Sequence, residues 1–119
     1  MLGTKVRRHR VPIAHGEPFH PPKSGAAECW QAHVAPVKSM GQVQWVIATL
    51  LDDRRVARAT HNMIAYRFVD ATRAGVQVAD NDDDGESSAG QKLAALLELM
   101  GASDVIVVVS RWFGVTHLG

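Results

Sequence analysis

Residues 105–109, Val-Ile-Val-Val-Val, form an unbroken β-branched run with no polar alternation, which predicts an interior strand covered on both faces. Ahead of it, Leu93, Leu96, Leu97 and Met100 recur at helical spacing and Gly101 stands where a left-handed C-terminal cap is expected. Ser88 and Gln91 have capping-box spacing at the start of that segment, so a helix of about three turns with one buried face is predicted. A second apolar stripe, Val43, Val46, Ile47, Leu50 and Leu51, follows another capping box, Ser39 with Gln42, and predicts a helix from residue 40 to about 53. Residues 28–37 read as a strand that Pro36 ends. Residues 64–69 and 76–79 read as two strands joined in a hairpin by a longer loop containing Gly75.

The order strand, helix, strand, strand, helix, strand predicts an α+β fold: a mixed sheet of four or more strands with the helices on one face. Residues 1–27 hold four of the five prolines and the basic cluster Lys5, Arg7, Arg8 and Arg10, with little periodicity. They read as an extended arm, either a solvated tail or a basic docking arm able to touch RNA phosphates, and residues 28–119 as the domain.

At 119 residues the chain fits one domain. Apolar content of 46% and charged content of 21% are ordinary for a globular protein, and a formal net charge of +1 makes no general case for nucleic-acid binding. No run approaches the roughly 20 apolar residues of a membrane span, and the basic N-terminus lacks the apolar core of a secretory signal, so the cytoplasm is expected. Cys29, the single cysteine, excludes an intrachain disulfide and a cysteine-based zinc site and is expected to be a buried thiol.

The chemistry is concentrated between Asp80 and Gly114. Asp80, Asp82 and Asp84-Gly85 match the opening of a calcium loop, but its twelfth position is Gln91 where a bidentate Glu is required; no metal or cofactor is expected. Ser87, Ser88 and Ser110 could serve as nucleophiles and His33, His61 and His117 as bases, yet no hydrolase, zinc-protease or nucleotide-loop motif accompanies them, and no catalytic residue is assigned. The helix start at Ser88 could hold an anion, with Arg111 or His61 adding charge; alternatively Arg111 pairs with Asp83 or Glu86 and holds the acidic turn in place. Trp112 and Phe113 are adjacent on a strand, so they point to opposite sides and an exposed ring would be a protein-binding anchor. His61 and Asn62 stand before the first hairpin strand, where they cap backbone or contact a ligand.

Asp83-Asp84-Gly85-Glu86, Ala89-Gly90, the seven residues from Val108 to Gly114, and Leu118-Gly119 resemble the signature of the IMPACT/YigZ family. Residues 32–37 and 57–67 are similar to it as well, in the same order, and the resemblance covers residues 28–119. It implies a fold like the second domain of ribosomal protein S5 and a non-catalytic role in translation control. Eukaryotic members restrain the stress kinase acting on initiation factor 2 by competing for its ribosome-associated activator; an actin link and, for YigZ-type relatives, an RNA or ribosome role are also implied. The shared binding surface would comprise His61, Asn62, Asp82, Asp83, Asp84, Glu86, Ser110, Arg111, Trp112 and Gly114. IMPACT proteins carry an additional amino-terminal RWD domain and relatives continue past Gly119 into another helix, so an incomplete domain is expected. All of this requires the acidic turn to fold against the end of the valine strand.

Overall fold

The valine run is the first half of a longer strand that organises everything else. In the computed structural model, which describes residues 8–21 and 28–114, the elements are β1 (Ala14–His15), β2 (Glu28–Pro36), α1 (Met40–Asp52), α2 (Arg54–Ala57), β3 (His61–Asp70), β4 (Val76–Asp82), α3 (Ala89–Leu99) and β5 (Val105–Phe113). The sheet is five-stranded in the order β1-β2-β5-β3-β4, and every neighbouring pair is antiparallel. β5 therefore lies between β2 and β3 as its lack of alternation demands, and it carries Arg111, Trp112 and Phe113 at its carboxyl end.

The helices do not share one face. Val43, Val46 and Leu50 of α1 pack with Ala35, Val37, Phe68, Ile106 and Val108, whereas α3 lies beside Met63 and Val109, the next residues along the same strands. Because successive strand residues point to opposite sides, α1 and α3 cover opposite faces. An interior strand that is apolar on both faces needs a cover on each, which a one-sided layer cannot supply.

Ser39 caps α1 as expected: its Oγ accepts from Gln42 N at 3.1 Å, while Gln42 Oε1 accepts from Lys38 N at 2.6 Å. The helix stops at Asp52 because Asp53 begins another one, its Oδ1 accepting from Arg55 N at 2.8 Å and Val56 N at 3.3 Å. Ser88 behaves differently from Ser39. It precedes α3 in the left-handed region at φ 63° and makes no side-chain cap bond, so the expected capping box is absent. Gly101, at φ 64°, follows the C-terminal end of α3 as predicted.

Part of the predicted arm joins the sheet. Ala14 and His15 pair with Val34 and His33, Gly16 N donates to Ala32 O at 2.7 Å, and Phe19 and Trp30 exchange backbone bonds of 2.7 and 2.8 Å. Two paired residues leave no periodicity to read, which is why β1 was invisible to pattern. Cys29 is buried. No helix among the described residues is long and apolar enough to cross a membrane.

Candidate functional site: the acidic turn and the end of β5

The acidic turn is built from its own side chains. Asp82 Oδ1 accepts from Asp84 N at 2.9 Å and Asp83 Oδ1 from Gly85 N at 3.2 Å, while Asp83 O takes Glu86 N at 2.9 Å. Asp84 sits at φ 48° and Gly85 at φ 87°, which swings the chain back over β3. There Asp84 Oδ2 accepts from Asn62 N at 2.8 Å, and its carbonyl accepts from His61 Nδ1 at 2.7 Å. These carboxylates satisfy backbone donors, and among the described residues no group of three His, Cys, Asp or Glu is placed to hold a metal ion. His61 and Asn62 are the first residues of β3 rather than residues ahead of it, and both tie the turn down.

Arg111 links that turn to the far side of the sheet. It stands in register between Trp30 and His61, all three on the face that α3 covers in part. Its Nε donates to Glu28 Oε2 at 2.8 Å and its Nη1 donates to Glu86 Oε1. Trp30 Nε1 donates to the same Glu28 oxygen at 3.0 Å, and His61 Nε2 lies 3.6 Å from Glu86 Oε1. The guanidinium carbon is 4.9 Å from the Trp30 ring centroid and 4.8 Å from that of Phe113. Burial works against the charge, but the bonds from Glu28 and Glu86 outweigh it and raise the Arg111 pKa above its ordinary value.

The opposite face carries a buried polar chain. His33 Nε2 lies 3.2 Å from Ser110 Oγ, which donates to Asn62 Oδ1 at 2.6 Å, and Asn62 Nδ2 donates to Val56 O at 3.0 Å. Ser110 is 0% exposed and so is closed to any substrate as a nucleophile. Trp112 is also on this side, 3% exposed, with Nε1 donating to Arg55 O at 2.8 Å and the Arg55 guanidinium 4.5 Å from its ring. Phe113 is 49% exposed, so the two adjacent rings part as the strand alternation predicts.

The structure thus brings His61, Glu86 and Arg111 into one surface cluster, with Asp82, Asp83 and Asp84 bracing the turn and the Asn62 backbone holding Asp84 while its side chain turns to the opposite face. Ser110 and Trp112 lie beneath the other face, and Gly114, exposed at φ 78°, follows the strand end. Of the basic cluster, Arg8 and Arg10 are exposed, while Lys5 and Arg7 lie outside the described residues, as does His117. Sequence reasoning missed Glu28 and Trp30, which reach the cluster only through strand pairing. The one available signal was a Glu-x-Trp pair inside a predicted strand, placing both side chains on one face.

The model of the Impact N-terminal domain matches residues 28–119. The chain belongs to this family. It is 39% identical over 118 residues to an IMPACT homolog of Schizosaccharomyces pombe, covering 92% of this chain and 41% of that protein. To the IMPACT protein of Rattus norvegicus it is 43% identical over 109 residues, 91% of this chain and 32% of the relative. The Impact fold is also found in the solved two-domain translational regulator Yih1, with TM-score 0.68 and 32% identity over 90% of this chain and 40% of that one. The chain therefore spans about a third to two fifths of the relatives' length.

Proposed function

We infer that the chain is a non-catalytic protein-contact module of cytoplasmic translational control. The observation that carries this reading is the Arg111 cluster: a guanidinium fixed between two carboxylates and two aromatic rings, with Phe113 half-exposed beside it and Phe19 exposed across the bridge to Trp30. Arginine and large aromatics held in one orientation lose little side-chain entropy on docking and are the residue types that dominate interface energy. The description of Yih1 as a translational regulator supports the same direction. Phosphate-bearing partners are disfavoured at this surface, because Asp82, Asp83, Asp84 and Glu86 border it.

The partner implied is the ribosome-associated activator of the initiation-factor-2 kinase, with actin and RNA as the other candidates. Immobilised chain is expected to retain purified activator, and Phe113→Ala is expected to weaken retention at least tenfold without unfolding the domain. Failure of the wild-type chain to retain the activator rejects this partner. Retention of RNA that collapses with added salt would move the assignment to an RNA- or ribosome-binding module using Arg8 and Arg10.

A further inference from the structure

Beyond the backbone bonds to β2, three histidines tie residues 8–21 to the domain. The His9 ring covers Gly41 in the first turn of α1, His20 Nδ1 lies 3.2 Å from Glu28 O, and His15 Nδ1 lies 2.9 Å from His33 Nδ1. Only the last of these reaches a buried partner, and the proton positions around it follow from the bonds behind it. Asn62 Nδ2 donates to Val56 O, which leaves Asn62 Oδ1 as acceptor of the Ser110 hydroxyl proton. Ser110 has one proton, so its contact with His33 must be donated by His33 Nε2–H. His33 Nδ1 is then a bare lone pair, and the proton in the 2.9 Å contact belongs to His15 Nδ1.

This arrangement tolerates no second proton on His33 without change. A proton on His33 Nδ1 confronts the one on His15 Nδ1, so the 2.9 Å contact survives only if His15 moves its own proton to Nε2. The groups facing His33 are His15 from β1, Asp53 and Arg55 from the α1–α2 junction, and from β5 the uncharged Ser110. Asp53 favours the imidazolium, whereas Arg55 and His15 oppose it. Burial is the largest cause and, with His15 and Arg55, lowers the His33 pKa from 6.5 to about 4. Ile13 and His15 form one wall of the partly open cavity of about 230 Å³ that His33 lines, so detaching β1 widens its access to water.

We propose that residues 8–21 are an acid-released strap: proton uptake by the buried His33 beside His15 detaches β1 from β2 while the rest of the sheet stays folded. Detachment leaves the outer backbone edge of β2 bare, the geometry that strand addition by another chain requires.

The test is amide hydrogen exchange on the whole chain as a function of pH, corrected for intrinsic rates. The probes are the Gly16, Phe19 and Trp30 amides, whose acceptors lie across the β1–β2 side, with the Thr60 amide bonded to Arg111 O as control. Strap protection is expected to fall by up to tenfold per pH unit between 6.5 and 4, because the detached state binds the extra proton, while Thr60 stays the better protected of the two. In His33→Gln, whose amide keeps the donor toward Ser110 but cannot titrate, strap protection is expected to stay level. Equal protection at the strap and Thr60, or the same fall in His33→Gln, overturns the proposal. Nitrogen NMR of the wild-type imidazoles gives an independent check: neutral His33 is expected as the Nε2–H tautomer, and finding Nδ1–H would remove the basis of the strap.

Discussion

The Arg111 guanidinium and the Glu28 carboxylate meet at 2.8 Å although 83 residues separate them in the chain. The same guanidinium holds Glu86, so one side chain joins the start of β2 to the acidic turn. Removing it leaves two carboxylates facing a partly dry site without their counter-ion. Arg111→Ala is expected to lower unfolding free energy by roughly 2–4 kcal/mol, and Arg111→Lys by less, since the charge survives but the planar fork does not. Urea unfolding measures both. A loss for Arg111→Ala under about 1 kcal/mol would mean that solvent screens the pair as it does exposed ones.

The start of α3 offers two neighbouring substitutions of opposite sign. Ser88 holds φ 63° and receives no capping bond in return, so Ser88→Gly is expected to stabilise by about 0.5–1 kcal/mol. Gly90, two residues on, is buried where a Cβ would stand 2.8 Å from Asp82 C and Asp83 N, both backbone atoms that cannot swing aside. Gly90→Ala should cost about 1–3 kcal/mol. Thermal unfolding midpoints that move in the same direction for both variants would contradict this account of the turn.

What could be read from the chain beforehand follows the range over which each feature is encoded. The valine run, the α1 stripe with Ser39, and Gly101 are local signals, and each appears where pattern placed it. Ser88 has the same capping spacing as Ser39 but does not cap, because the bonds from Asp84 to His61 and Asn62 set the path of the chain before the helix begins. The meeting of the acidic turn with β5 was accessible only as a geometric expectation, yet Glu86 and Arg111 do meet. Glu28 and Trp30 were not foreseen, since their place beside Arg111 depends on β2 pairing with β5 in one particular register, which no local pattern specifies. The covering of both sheet faces was implicit in the apolar run of β5, but which helix takes which face is a property of the whole chain path.

Stability should decline on mild acidification, and the sign follows from His33. Burial first, then His15 and Arg55, hold the folded-state pKa to about 4, with Asp53 opposing, against 6.5 when unfolded. The unfolded chain therefore takes up the proton first as pH falls. The His33 contribution is complete above pH 6.5 and is lost progressively toward pH 4, to a total of about 3 kcal/mol. Denaturant midpoints at pH 7 and pH 5 are expected to differ in the wild type and to converge in His33→Gln. A wild-type midpoint that is higher at pH 5 would refute the assignment.

Trp112 and Phe113 are neighbours in sequence with opposite roles, and this separates folding from docking experimentally. Trp112 is 3% exposed and donates to Arg55 O, so Trp112→Phe leaves a backbone carbonyl without its donor and a gap against the Arg55 guanidinium. A loss of roughly 1–3 kcal/mol is expected, with partner retention preserved wherever the variant remains folded. Phe113, on the other face and 49% exposed, surrenders little on truncation beyond its contact with Arg111. Phe113→Ala is expected to cost under about 1 kcal/mol in stability while reducing retention of the activator at least tenfold. The pair is read by measuring unfolding and retention on both variants. If Phe113→Ala binds as the wild type does while Trp112→Phe, still folded, loses the partner, the contact surface lies on the α1 side of the sheet and not around Arg111.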